Sequence, residues 1–310
     1  RILIPYGSIL LAVSLALIGT GCSRAEDNGR SGEYTVAVSI LPQKYFVERI
    51  AHHQVNVIVV VPPGANPATY EPSPSDMRNI SQADIWFTIG VGFERAWIPR
   101  FAGSNPDLII RSTISDIDRL PIDRYSIPEE TASSYTLGDN EHDHAHGWED
   151  PHVWLSPELV RKQAVVIAES LSDLDPESET QYYINLGNFN LEIDSLQNSI
   201  RVLLDPMRGS CFMVFHPAWG YFADEFSLTQ IPVEESGNDP SPGEMSRLVD
   251  FAKDQNVQAI FVSPQFSTSS AEVIASEVNA RIIFIDPLAE DWKSNLIHVS
   301  EELKSSMDAR

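Results

Sequence analysis

From Tyr34 onward, short apolar runs alternate with segments of helical period. The apolar runs are rich in Val, Ile and Phe, which is typical of buried strands. Strands are predicted at 34–40, 55–61, 84–90, 211–215, 259–263 and 281–286, and helices at 42–53, 75–82, 245–255 and 269–278. Strands separated by helical crossovers favour a parallel sheet with helices on both faces. We therefore expect an α/β protein with two lobes, each built on one parallel sheet.

One long amphipathic segment lies between the two strand-rich regions. Its apolar positions recur at alternating spacings of four and three: Tyr182, Leu186, Phe189, Ile193, Leu196, Ile200 and Leu203. Asp175-Pro176 supplies an N-cap and a first-turn proline, and Asp205-Pro206 supplies a stop. The pattern predicts a single helix over 175–207 that connects the lobes. A coiled-coil dimer has the same spacing, but about three heptads inside an α/β chain favour a helix docked on its own domains, hence a monomer.

The N-terminus has the composition of an export signal. Residues 2–18 are almost continuously apolar but too short for a comfortable bilayer span, and small residues precede Cys22. Cys22 stands where a bacterial lipobox has its lipidated cysteine, although Gly19 replaces the usual Leu. We expect a signal peptide over 1–22 and a membrane anchor at a lipidated Cys22. A plain secretory signal and a single membrane anchor are the alternatives.

The predicted elements divide the rest of the chain. A polar linker is expected over 23–32, an N-terminal lobe over 33–174, the connecting helix over 175–207 and a C-terminal lobe over 208–310. A total of 310 residues is enough for two lobes that each bury a core.

Charge and cysteine content narrow the classes of function. The formal net charge of −23 repels a polyanion and concentrates cations, so we expect no nucleic-acid partner. Cys22 and Cys211 are too few for a disulfide framework or a thiolate zinc module. Cys211 lies in an apolar run and is expected to be an inert core thiol.

A tract of histidine and acidic residues lies near 139–150, in a segment of weak periodicity. It contains His142, His144 and His146. Such tracts are weak compositional signals for metal binding, because a loop must lose conformational entropy to enclose an ion. A solvated surface loop and a low-affinity metal-capturing loop both remain open.

Three residues of types that bind metals stand at predicted strand ends and turns, where α/β proteins bind ligands. His152 lies in a Pro-rich turn, His216 directly follows the strand at 211–215, and Asp286 follows the strand that begins at Arg281. Neutral imidazole nitrogens and a carboxylate suit Zn²⁺, and Mn²⁺ is favoured if more oxygens join. Each residue alone could equally be a turn or capping residue.

The flanking motifs resemble the solute-binding lipoproteins of bacterial zinc and manganese ABC transporters, of the zinc-uptake type. The motifs are PGANPATYEP at 63–72, DIWFTIGVG at 84–92, DPHVWL at 150–155, HPAWGYF at 216–222 and IDPL at 285–288. The resemblance spans the chain from about Tyr34 to its end. It implies two α/β lobes bridged by a long helix, with a metal ion held between them and delivered to an ABC permease and its ATPase.

The resemblance also assigns the candidate ligands by position. His152 falls on the family's DPHxW histidine, His216 on the histidine after the first strand of the second lobe, and Asp286 on the carboxylate that completes the site. Ala68 stands where the family usually has its first histidine ligand, and a methyl group cannot bind metal. The replacement could be water or one of several side chains: Glu71, Glu234, Glu235, His142, His144 and His146.

The expected function is capture of Zn²⁺, or alternatively Mn²⁺, by an exported, lipid-anchored protein at the periplasm or cell surface. The rival hypothesis is an adhesion or interaction protein of the same fold that has lost tight metal binding, because Ala68 replaces a ligand. An enzyme is not expected, since the chain has no GxSxG or HExxH motif and no evident general base with a matched partner.

Overall fold

The computed structural model describes residues 34–122, 149–234 and 237–308. Several sequence predictions fall outside this part of the chain: the signal segment with Cys22, the linker at 23–32, His142, His144, His146 and Glu235.

The N-terminal sheet has four parallel strands in the order β2-β1-β3-β4. Its elements are β1 (Tyr34–Val38), α1 (Leu41–Ala51), β2 (Val55–Val59), α2 (Pro74–Ile80), β3 (Ile85–Thr88), α3 (Gly92–Ser104) and β4 (Ile109–Ser112). The central strands β1 and β3 are apolar and buried on both faces, which is why their runs are continuously hydrophobic. The register is fixed by pairs such as Val36 with Val57 and Val36 with Ile85.

Two packed helices follow, α4 (Pro157–Leu174) and α5 (Glu179–Leu204). The apolar stripe of α5 is buried as the spacing predicted, from Tyr182 through Phe189 to Ile200. The long central helix is therefore confirmed. Its α-helical part is shorter than 175–207, because 3₁₀ turns containing Pro176 and Pro206 form its two ends.

The C-terminal sheet repeats the architecture, with parallel strands in the order β6-β5-β7-β8. Its elements are β5 (Cys211–Val214), α6 (Gly220–Glu225), β6 (Thr229–Pro232), α7 (Pro242–Asp254), β7 (Ala259–Val262), α8 (Ser269–Val278), β8 (Arg281–Phe284) and α9 (Trp292–Asp308). The predicted α/β fold with two parallel sheets is confirmed. Cys211 is half-buried rather than buried in the core, because it is the first residue of β5.

The terminal helix α9 returns to the N-terminal half of the chain. Its first residue, Trp292, packs edge-to-face on Phe46 of α1 at 5.3 Å and on Phe189 of α5 at 6.3 Å between ring centroids. Trp292 Nε1 donates to the carbonyl of Trp154 at 2.7 Å, and Trp154 Nε1 donates to the carbonyl of Pro287 at 2.7 Å. These two bonds fix the segment after β8 against the segment before α4.

None of the described helices combines the length and apolar character needed to cross a bilayer.

Candidate metal centre

Two of the predicted ligands, His152 and His216, contact each other through their Nε2 atoms. His152 precedes a 3₁₀ turn at Val153–Leu155 that leads into α4, and His216 lies two residues after the end of β5. Their Nε2 atoms are 3.2 Å apart, and the two rings are nearly perpendicular, with an interplanar angle of 75°. Residues 64 positions apart in the chain are thus joined where the two halves of the fold meet.

The other nitrogen of each imidazole contacts a buried carboxylate. His152 Nδ1 lies 2.6 Å from Asp150 Oδ1, and His216 Nδ1 lies 2.6 Å from Glu234 Oε1. Asp150 is fully buried and Glu234 is 6% exposed. An ionised carboxylate can only accept, so it favours the tautomer of a neutral ring in which Nδ1 carries the proton and Nε2 keeps the lone pair. With both rings in that form, the pair presents two lone pairs to one point.

The surroundings keep His216 neutral. Burial lowers the pKa of His216 below its ordinary value, and this effect outweighs the opposing hydrogen bond to Glu234. The ring of Phe266 stacks on the His216 imidazole at 4.3 Å and 22°. The neutral imidazole is the form that binds metals, so the site favours the coordinating state.

Asp286, the third predicted ligand, belongs to a separate set of hydrogen bonds. Its Oδ1 accepts hydrogen bonds from Gln265 Nε2 at 2.8 Å and from the Leu288 backbone N–H at 2.9 Å. It lines a cavity of about 230 Å³ together with the 61–64 loop and Glu290. Over the ranges that the structure describes, no three His, Cys, Asp or Glu side chains form a group able to hold a metal ion.

Two sets of contacts link Asp286 to the segments that carry the histidine pair. Gln265, which binds Asp286, precedes Phe266, which stacks on His216. Pro287 follows Asp286 and accepts from Trp154, two residues after His152.

A comparison with known families covers almost all of the described chain. Residues 36–305 match the family model of "Zinc-uptake complex component A periplasmic". The chain belongs to this family. The crystal structure of ZnuA is 37% identical with a TM-score of 0.78, and the similarity covers 89% of this chain and 99% of that one.

Two curated relatives of this zinc-uptake family are named for different metals. The high-affinity zinc uptake system protein ZnuA of Bacillus subtilis is 25% identical over 95% of this chain and 92% of its own. The manganese-binding lipoprotein MntA of Halalkalibacterium halodurans is 29% identical over 85% of this chain and 82% of its own. The resemblance read from the sequence motifs is thereby confirmed.

The departure from the zinc-uptake motif at Ala68 has a defined structural setting. Ala68 lies in a loop that packs on the start of α3, where Phe93 N–H donates to the carbonyl of Pro67 at 3.1 Å. A Cβ on Gly92 would come within 2.7 Å of the Ala68 carbonyl oxygen, so the close approach requires glycine there. Glu71, in the same loop, is exposed.

Several residues that complete the centre were not identified as partners from the sequence. Glu234 was considered only as a replacement ligand, but in the structure it accepts from His216 Nδ1. Asp150 could have been found from the spacing Asp-Pro-His, since its Oδ1 also accepts from the backbone N–H of His152 at 2.9 Å. Gln265 and Phe266 carry no local signal, because their contacts are long-range.

Proposed function

We propose that this protein is the exported solute-binding component of an ABC importer for a divalent transition metal. Zn²⁺ is the preferred cargo and Mn²⁺ the alternative. His152, His216 and Asp286 are the proposed ligands, and the ion lies where the two halves of the fold meet.

The observation that carries this proposal is the contact of 3.2 Å between the two Nε2 atoms. When both rings are neutral and each Nδ1 proton is donated to its carboxylate, two Nε2 lone pairs face each other, and a cation between them relieves their repulsion. Two nitrogens at the zinc–nitrogen distance in a tetrahedral site would be about 3.3 Å apart. The pair thus has the spacing of two adjacent ligands on one zinc ion.

The carboxylates behind the histidines support the same assignment. A ligating histidine commonly donates its second N–H to a carboxylate, which fixes the tautomer and raises the basicity of the ligating nitrogen. Asp150 and Glu234 stand in that position on both rings.

Asp286 is proposed as the third ligand, on the strength of its side-chain chemistry and its short connections to both histidines. With Ala68 unable to coordinate, water would fill a fourth position and leave a site that exchanges its ion readily. A site with one carboxylate and two imidazoles suits Zn²⁺ first, and Mn²⁺ if further oxygens join.

Transport partners and location follow from the family. The zinc-uptake family is described as periplasmic, and the relative MntA is named a lipoprotein. Together with the apolar segment at 2–18, this supports export, anchoring of the mature chain at a lipidated Cys22, and transfer of the ion to a permease driven by an ATPase. Capture and release of an ion require no covalent step, so no catalytic role is assigned to any residue.

The test is isothermal titration calorimetry of the metal-free protein with Zn²⁺ and with Mn²⁺. We expect one tight site in the wild type and loss of that site in both His152→Ala and His216→Ala. His298→Ala is the matched control, because His298 is an exposed histidine on α9. Equally weak binding by the wild type and His216→Ala would refute metal capture at this pair and favour the adhesion or interaction role.

A further inference from the structure

The carboxylate of Asp286 is held by one oxygen only. Gln265 Nε2 and the Leu288 backbone N–H both donate to Oδ1, at 2.8 Å and 2.9 Å. Its main chain is also fixed, since Asn295 Nδ2 donates to the Asp286 carbonyl at 2.8 Å. Within the described part of the chain, Oδ2 has no hydrogen-bond partner.

A carboxylate oxygen has about two lone-pair positions. Two donors at hydrogen-bond distance occupy both positions on Oδ1, so only Oδ2 can bind a cation. The Leu288 donor belongs to the backbone and is independent of side-chain identity. Gln265 is therefore the side chain whose removal would open Oδ1 to a metal.

The amide of Gln265 donates to Asp286 and leaves its own buried oxygen without a partner among the described residues. Its Oε1 is buried and has no hydrogen-bond partner among the described residues, so the bond to Asp286 is the one that the side chain makes there. An apolar side chain of similar size would leave no unpaired oxygen at this position. The next residue, Phe266, stacks on His216, so this short loop between β7 and α8 orients both candidate ligands of the C-terminal sheet.

We propose that Gln265 is a positioning residue that restricts Asp286 to one-oxygen coordination and thereby favours Zn²⁺ over Mn²⁺. This rests on the proposed function. Zn²⁺ accepts four ligands and is satisfied by one carboxylate oxygen, whereas Mn²⁺ favours sites with more oxygen ligands. With the Gln265 donor removed, the Asp286 carboxylate can turn and offer both oxygens, which benefits the ion with the larger coordination number.

The experiment measures the dissociation constants of Zn²⁺ and Mn²⁺ for the wild type, Gln265→Leu and Gln265→Met. Both variants remove the hydrogen-bond donor but differ in side-chain shape. An effect that both variants show is therefore caused by loss of the donor. We expect Zn²⁺ affinity to fall about 10-fold, as for loss of other residues that orient a ligand, and Mn²⁺ affinity to fall much less. The ratio of the Mn²⁺ to the Zn²⁺ dissociation constant should therefore fall about 10-fold. Structures of the Mn²⁺ complexes should show one Asp286 oxygen bound in the wild type and two in the variants.

Gln258→Leu is the control, since Gln258 is a half-buried glutamine of the same half of the chain that bonds to Asn256. Equal loss of both affinities, or no change in either, would overturn the role of Gln265 while leaving metal capture intact. Unchanged binding by Asp286→Asn would overturn it in the same way. A wild type that binds neither ion would instead overturn the proposed function itself.

Discussion

Replacing Glu234 by Gln isolates the electrostatic part of the candidate metal centre. Gln keeps an oxygen that can accept from His216 Nδ1, so the tautomer is preserved, and it removes the negative charge. Glu234 is 6% exposed and lies 2.6 Å from the ring nitrogen, so solvent screens this charge little.

The expected magnitude follows from the geometry. An ion bound at His216 Nε2 would lie about 7 Å from the Glu234 carboxylate, across the imidazole ring. A divalent ion and a single charge at that distance attract by about 1 kcal/mol in water and about 5 kcal/mol at the effective dielectric of a protein. Removing a carboxylate that supports a metal-bound histidine typically lowers metal affinity about 10- to 100-fold. The free energy that corresponds to this loss lies within the calculated range. We therefore expect the Zn²⁺ dissociation constant of Glu234→Gln to rise about 10- to 100-fold.

The assay is a competition titration of Zn²⁺ against a chelator of known affinity, which can measure tight binding. Glu277→Gln is the control, because Glu277 is an exposed glutamate on α8 and its replacement makes the same change in net charge. A dissociation constant for Glu234→Gln within about twofold of the wild type would show that the carboxylate does not act on a metal through His216.

Three further predictions concern folding stability. His52 is exposed and has a positive φ of 52° with ψ −124°, in a turn closed by Gln54 N–H. Glycine adopts a positive φ without strain, so His52→Gly should raise the free energy of unfolding in urea by about 1 kcal/mol. A lower urea midpoint for this variant would contradict the prediction. Burial raises the pKa of Glu94 in the folded state, so as pH rises above 4.5 the wild type should lose stability relative to Glu94→Gln; a pH-independent difference would refute it. Trp292→Phe leaves the Trp154 carbonyl without its donor and should cost about 1–3 kcal/mol in thermal unfolding, whereas wild-type stability would show that bond to be dispensable.

In the two sheets that the structure describes, all four central strands were predicted from the sequence, whereas two of the four edge strands were missed. The predicted strands include the central strands β1, β3, β5 and β7, whose apolar runs are buried on both faces. The missed strands β4 and β6 are both at sheet edges, with sequences Ile-Ile-Arg-Ser and Thr-Gln-Ile-Pro. An edge strand tolerates proline and polar residues because one side of it has no ladder partner, so its sequence signal is weak.

Among the described residues, four helices were missed, α3, α4, α6 and α9, and the first two differ in their sequence signals. Helix α3 begins at a glycine and contains Pro99, which hides its period. Helix α4 has a clear start that sequence analysis could have used: Pro157 occupies the first turn and Ser156 Oγ accepts from Leu159 N–H at 3.2 Å.

The sequence by itself determined the α/β class, the long central helix and the identity of the candidate ligands. Periodicity and caps depend on residues a few positions apart, and the motifs around His152, His216 and Asp286 are contiguous stretches of chain. These features can therefore be predicted without knowing how distant segments pack together.

Only the tertiary structure decided what those ligands contact. The contact of His152 with His216, the carboxylate of Glu234 behind His216 and the hydrogen bond of Gln265 to Asp286 all join residues on separate loops. Such contacts depend on how the helices α1, α4 and α9 pack on the long helix α5. Their free energy comes from burial and long-range hydrogen bonds, which local periodicity does not encode.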